Sequence, residues 1–319
     1  MGIKHSLVVP CYNEEGNVEN FLIEAKAVMR GYTDSFEIVF VNDGSSDGTG
    51  KKLREIWQKN KDVRIKVINF SRNFGKEAAM YAGLCHADGE YITLIDADLQ
   101  QDPAYAVEMG RILDEKPDVD MVAAYQSHRK EGKLISGLKT MFYKLISKSS
   151  GVDFITDASD FRTMRRCVAG TIIALPEYHR FSKGIFSWVG YNTCSIPYEV
   201  RERASGETKW SFSKLFRYAL EGIVAYTDLP LKLPLYTGLI FMLLSVVLLF
   251  ASVLLDIFTM VKIMPGYLLS AVLFVGAVIC IFIGIIGYYI GKVHIEVKNR
   301  PIYIAKEILS YEHDKKTDN

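Results

Sequence analysis

The chain is poor in cysteine. Its five thiols stand at positions 11, 85, 167, 194 and 280, none of them in a C-x-x-C pair. Buried or incidental thiols in a reducing compartment are therefore expected, rather than disulfides or zinc ligands. Charge of one sign is missing too: 38 Lys and Arg face 37 Asp and Glu, a net +1 over 319 residues. Nothing in that balance calls for nucleic acid as a partner. No G-x-x-x-x-G-K-[ST] occurs, which argues against a P-loop kinase. "PCYNEEGN" stands where a dinucleotide-binding protein would carry G-x-G-x-x-G. The opening "MGIKHSLVVP" is no signal peptide, because its apolar run is short and ends at Pro10. It matches the myristoylation pattern M-G-x-x-x-S, but the same residues read better as a first core strand. Internal repeats and low-complexity linkers are absent as well.

What the chain does have is two long apolar runs. Leu233–Leu255 lies uncharged between Lys232 and Asp256, and Ile263–Gly291 between Lys262 and Lys292. Each exceeds the roughly 20 residues that cross a bilayer core, although two buried soluble helices are the alternative. With Pro265-Gly266 delaying the second helix, the expected spans are about 233–255 and 267–291, a transmembrane hairpin over 233–291. Lys209, Lys214, Arg217 and Lys232 precede it, and Lys292, Lys298, Arg300 and Lys306 follow it. The positive-inside rule then puts the N-terminal domain and the 292–319 tail in the cytoplasm. Two spans are too few for a transporter. Residues 206–232 read as amphipathic juxtamembrane helices, with Trp210, Phe212, Leu215 and Phe216 beside Lys214 and Arg217; ordinary core packing is the other reading of them. Gly276, Cys280, Gly284, Gly287 and Gly291 trace one small-residue stripe, suited to close packing within the hairpin or between copies in a homo-oligomer.

The first part of the chain alternates strand and helix signals. Strand-like runs at 6–10, 37–43, 64–70, 91–96 and 120–125 are separated by helical patterns at 17–30, 49–60, 75–87 and 103–115. That order predicts an α/β domain with an open, mostly parallel sheet, whose ligands gather at the carboxyl ends of the strands. Glu14, Asp43, Asp96 and Asp98 then cluster on one edge, with Arg72 and Lys76 nearby. Such acids repel unless a cation or a donor-rich ligand offsets them. In "YITLIDADLQQDP" an extended chain would set Asp96, Asp98 and Gln100 on one face. Asp102-Pro103 reads as a helix start. Paired acids after a strand suit a divalent cation such as Mg²⁺, which keeps phosphate and water in its other positions.

Five motifs, "VVPCYNEEGN", "VNDGSSDGT", "RNFGKEAA", "DADLQQDP" and "DFRTMRR", occur in the order in which they stand in family 2 glycosyltransferases of GT-A fold. The chain more closely resembles the polyprenyl-phosphate sugar transferases, meaning bactoprenol glucosyltransferases and dolichol-phosphate mannose synthases. The likeness extends through the hairpin to "EVKNRPIYI". It implies a GT-A (Rossmann-like) catalytic domain over 1–205 and a metal-dependent enzyme using Mg²⁺ or Mn²⁺. It also implies donor-binding Pro10, Tyr12, Glu14, Asp43, Arg72, Lys76 and Asp96, and metal contacts at Asp96, Asp98 and Gln100. Asp98 and Asp160 fall at the catalytic positions, with Asp157 a competing acid whose other reading is loop capping. Arg129, Arg203 and Lys209 match the acceptor-phosphate positions, Arg129 within "QSHR" where the family usually has "GSR".

The resemblance further implies one sugar per turnover, because the Q-x-x-R-W motif of processive polymerases is lacking. The partners implied are a nucleotide sugar and a polyprenyl phosphate such as undecaprenyl phosphate, at the inner membrane of a bacterium. UDP-glucose or UDP-N-acetylglucosamine is favoured as donor. The alternatives are GDP-mannose, or a catalytically silent membrane-tethered protein that binds a nucleotide sugar. A lipid monophosphate, with a second pKa near 6, is already an anion and can attack without a general base. Asp160 is therefore expected to orient or tune the site, and in-line attack to invert the anomeric centre.

Overall fold

The computed structural model of the chain describes residues 2–127, 158–175, 177–178, 180–201, 240 and 265–311. The expected segment 206–232, nearly all of the first apolar run, and Arg129, Asp157, Arg203 and Lys209 lie outside the described residues. The chain divides into one unit of Met1–Tyr218 with Pro301–Asn319 and a second of Ala219–Arg300.

In the first unit β1 (His5–Cys11) and β2 (Phe36–Asn42) are buried along almost their whole length. Continuous apolar runs of this kind belong in a sheet covered on both faces. Alternation then divides the side chains. Leu7, Val9, Ile38 and Phe40 join one core layer, under α1 (Val18–Arg30), α2 (Thr49–Lys59) and α4 (Ala104–Glu115). Val8, Val39 and Val41 join the other, under α3 (Lys76–His86), α5 (Arg166–Ala174) and α6 (Ser182–Trp188). α1 turns Val18, Phe21, Leu22, Ala25 and Met29 inward, one helical face. Phe21 meets Phe40 edge-on with ring centroids 6.0 Å apart, and truncating either would cost about 3–5 kcal/mol.

The sheet runs β7-β5-β6-β4-β1-β2-β3-β8, where β3 is Arg64–Phe70, β4 Tyr91–Leu94, β5 Met121–Gln126, β6 Ala158–Arg165, β7 Thr193–Tyr198 and β8 Ala305–Leu309. The β3-β2-β1-β4 block is parallel, as expected. Beyond it the order departs from a simple winding. β5 does not lie beside β4; β6 enters between them, antiparallel to both. Its sequence, "ASDFRTMR", mixes charge with apolar residues because it buries a polar stripe, and so lacks strand periodicity. The 292–319 segment is more than a tail, since β8 pairs antiparallel with β3. Tyr303 stacks on Phe70 at 4.9 Å, and Glu307 accepts hydrogen bonds from Asn69 Nδ2 and Arg54 Nε, both at 2.9 Å. A buried polar thread also crosses the sheet: His5 Nε2 meets Thr93 Oγ1 at 2.6 Å, and Thr93 Oγ1 meets Thr163 Oγ1 at 2.6 Å.

In the second unit α7 (Pro265–Val297) is a single 33-residue helix. It takes in the expected second span and continues six residues past Gly291. Its length is about 50 Å at 1.5 Å per residue. Among the described residues, no helix is long and apolar enough to cross a membrane, so the hairpin remains a reading of the sequence.

Candidate active site

The parallel block sends the ends of β1, β2, β3 and β4 to one edge, and β6, running the other way, brings its beginning there. In the β4–β6 register Leu94 faces Arg162. Two residues further along, Asp96 and Asp160 approach each other across the edge. Lys76, at the start of α3, holds both. Its Nζ lies 2.7 Å from Asp96 Oδ1 and 3.5 Å from Asp160 Oδ2. Burial disfavours the ammonium charge, but the two carboxylates outweigh it and raise the Lys76 pKa. Burial likewise works to raise Asp160, and Lys76, Lys183 and Arg162 more than offset it, lowering the pKa. Asp160 Oδ1 is buried without a hydrogen-bond partner.

The loop after β4 is not extended. The strand ends at Leu94, residues 97–100 turn, and Leu99 adopts φ 60°. This breaks the alternation on which one shared face for Asp96, Asp98 and Gln100 depended. Gln101 now reaches Asp96: the Asp96 N–H donates to Gln101 Oε1 at 3.0 Å, and Gln101 Nε2 donates to Asp96 Oδ2 at 3.4 Å. Asp98 Oδ1 accepts the Gln100 N–H at 3.2 Å. Asp102 takes its expected place at the helix start, accepting from Ala104 N–H at 2.8 Å. The Gln100 carbonyl accepts from Arg201 N–H at 3.1 Å, and the Arg201 guanidinium spans Glu24 on α1 and Asp102.

Asp43, after β2, accepts from Phe74 N–H at 2.7 Å and Gly75 N–H at 2.9 Å. Burial nevertheless raises its pKa. This tight approach explains two glycines. Gly44 has φ 59°, and a Cβ there would stand 2.2 Å from the Arg72 carbonyl carbon; Gly75 has φ 98°. Arg72 stacks over Phe74 with its guanidinium 4.0 Å from the ring centre. The first loop is tied to the second: Ser46 N–H donates to Asn13 Oδ1 at 2.9 Å, and Glu14 N–H donates to Thr49 Oγ1 at 2.9 Å. Asn17 does not cap α1 with its side chain; its Nδ2 donates to Glu14 Oε2 at 2.6 Å. Pro10 is the last residue but one of β1, and Tyr12, just past the strand, is 42% exposed. The Cys11 thiol is pushed up by burial and then by the charges of Glu14, Asp96 and Asp47.

The structure thus gathers Asp96, Asp160 and Lys76, with Asp43 and Arg72 on neighbouring strand ends. Gln101, Glu77, Arg162 and Arg201 were not foreseen. For Glu77 a signal existed: a carboxylate among the small residues of "GKEAAMYAG". Among the described residues no group of three His, Cys, Asp or Glu side chains forms a metal cage. Asp96 and Asp98, on the loop after β4, are hard oxygen donors of the kind that suits a dication taking phosphate and water for its remaining positions.

Residues 6–172 match the model of glycosyl transferase family 2. The chain belongs to glycosyltransferase family 2. Within the family it is 39% identical over 312 residues to a prophage bactoprenol glucosyl transferase homolog of Escherichia coli K12, covering 96% of this chain and 99% of that one. It is 40% identical over 310 residues to the bactoprenol glucosyl transferase of Shigella phage SfII, covering 96% and 98%. Among solved structures it resembles glucosyl-3-phosphoglycerate synthase of Mycobacterium tuberculosis, in complex with Mn²⁺ and UDP-glucose. The TM-score is 0.51 and the identity 18%, over 70% of this chain and 77% of that one. That likeness supports the GT-A-type mixed α/β fold of this family 2 glycosyltransferase.

Proposed function

We propose that the enzyme moves one sugar, glucose or N-acetylglucosamine, from a UDP-sugar to a polyprenyl phosphate such as undecaprenyl phosphate, with inversion. The observation that carries the reading is the joining of Asp96, just past the end of β4, and Asp160, on the neighbouring β6, on the single ammonium of Lys76. The relatives named for bactoprenol glucosyl transfer support the lipid acceptor. The uncharged runs at 233–255 and 263–291 support a membrane anchor. A lipid acceptor favours such an anchor, since each CH₂ kept in the bilayer is worth about 0.8 kcal/mol. Basic flanks support a catalytic domain and both termini on the cytoplasmic side of a bacterial inner membrane.

In the reaction an acceptor phosphate oxygen forms the new bond to the anomeric carbon. The bond from that carbon to the diphosphate oxygen breaks, and its electron pair leaves with UDP. Asp96 and Asp98 would hold Mg²⁺ or Mn²⁺, which when bound neutralises the departing diphosphate. Asp43, fixed by two backbone N–H groups, and the open ring of Tyr12 form the nucleoside side of the site. Lys76 faces the donor while keeping Asp160 ionised. Because the nucleophile is already an anion, Asp160 orients rather than deprotonates. Arg129, Arg203 and Lys209 supply the cations that the acceptor phosphate needs.

The test is a panel of UDP- and GDP-sugars with undecaprenyl phosphate in detergent, the lipid product read by mass spectrometry. A single added hexose or N-acetylhexosamine from a UDP donor, dependent on a divalent cation, is expected. Product from GDP-mannose alone, or none from any donor despite UDP binding, overturns the reading.

A further inference from the structure

Glu77 follows Lys76 in sequence and serves none of the roles above. Its Oε2 accepts the backbone N–H of Ser182 at 3.1 Å and, closer still, the Ser182 hydroxyl. Ser182 is itself buried and opens α6. A loop more than a hundred residues downstream is thus tied to the first turn of the helix that carries Lys76. The next residue, Lys183, stands close enough to Asp160 to help depress its pKa. On β6 the period of two puts Arg162 on the same side as Asp160. Arg162 is buried, donates to Ser159 O at 2.7 Å, and lies over the Phe186 ring of α6 at 3.6 Å. Two contacts therefore hold α6, one from Ser182 to Glu77 on α3 and one from Phe186 to Arg162 on β6.

The electrostatics agree with this geometry. Burial, and then the charge of Asp160, push the Glu77 carboxyl up to about 7, against its Ser182 hydrogen bonds and Lys76. Burial brings Arg162 down to about 10, against Asp160 and Glu77. Arg180 also feels Glu77. A carboxyl group kept in so costly a place, near Asp160 and the three cations Lys76, Arg162 and Arg180, is not explained by packing alone.

We propose that Glu77 is a positioning residue for the transfer: by gripping Ser182 it locks the start of α6, which carries Lys183, to the first turn of α3, whose Lys76 holds Asp160. The inference rests on the transfer reading for its effect on rate, but the grip itself is a property of the chain.

The experiment uses the full chain in detergent with Glu77→Gln, Ser182→Ala, Lys183→Ala and the Glu77→Gln/Lys183→Ala pair. Glu77→Gln is expected to lower kcat about tenfold or more while UDP affinity stays within about twofold, the mark of lost orientation. Lys183→Ala should lose a similar amount, and the pair no more than the worse single variant. Ser182→Ala, which keeps the backbone donor, should show a smaller loss in the same parameter. Hydrogen exchange over Ser182–Trp188, which needs no turnover, should quicken in Glu77→Gln. Unchanged exchange there overturns the proposal whether or not the wild type transfers sugar. Wild-type kcat in Glu77→Gln, or losses that multiply in the pair, overturns it equally. A wild type that labels no lipid sinks the transfer reading alone.

Discussion

Lys76 Nζ lies 2.7 Å and 2.9 Å from the two carboxylate oxygens of Asp96, a two-pronged ion pair at the mouth of the site. Lys76→Ala removes a cation that contacts both Asp96 and Asp160. We expect kcat/KM to fall about a hundredfold or more, in the range seen for loss of a preorganised electrostatic partner. Steady-state rates with the preferred UDP-sugar check this, and a loss under threefold would remove Lys76 from the reaction.

Asp160→Asn should be milder than Asp96→Ala in turnover, since the acceptor needs no base. Equal losses with unaltered UDP binding would make Asp160 an obligatory proton acceptor instead. Its pH behaviour follows from its partners. The folded pKa lies below the ordinary 3.8. Any stability from the ionised form is therefore fully present above about pH 4 and is lost as pH falls through the lower folded value. Between pH 5 and 8 the rate should show no inflection that Asp160→Asn abolishes.

His5 reports on the fold rather than the reaction. Burial, then Lys4, lowers its pKa from 6.5 to about 3. The unfolded chain binds more protons between those values, so stability is full above pH 6.5 and falls toward pH 3. The slope from this residue is at most about 1.4 kcal/mol per pH unit. Denaturant midpoints measured across that window should decline less steeply in His5→Gln than in the wild type. Parallel declines would show that His5 is not held neutral.

Arg201 joins three pieces of chain: its N–H binds Gln100, and its side chain bridges Glu24 and Asp102. Being nearly half exposed, these ion pairs contribute little to global stability, within about 1 kcal/mol. Arg201→Ala should therefore leave the melting temperature nearly unchanged while weakening Mn²⁺-dependent UDP binding several-fold. Calorimetric titration of UDP with and without Mn²⁺ decides it. Unchanged affinity would detach the Gln100 loop from metal binding.

Removing 301–319 strips β8 from β3 and unstacks Tyr303 from Phe70. An uncovered edge strand invites association. The shortened chain should melt lower and elute as larger species in gel filtration, whereas an unshifted profile would make β8 dispensable.

Much of this was legible in the residues. The parallel block followed from apolar runs broken by helix patterns, and its strand-end acids from position alone. The rest depended on long-range geometry. β6 is hidden because the half-buried Asp160 and the buried Arg162 and Thr163 are polar residues that blur a strand's alternation. The Asp96 loop was misjudged because Leu99, a residue with no turn preference, takes a left-handed conformation. That exchanges Gln100 for Gln101 as the amide on Asp96. Glu77 stands out locally as a carboxylate among small residues, but its partner Ser182, more than a hundred positions away, is beyond any local pattern.

β8 follows the apolar segments in chain order but completes a sheet begun at His5. During synthesis β3 must therefore wait, one side bare, until some 230 further residues have been added. The nascent domain can close this edge of its sheet only after the apolar runs have themselves been synthesised, which makes completion of the sheet a late event in translation.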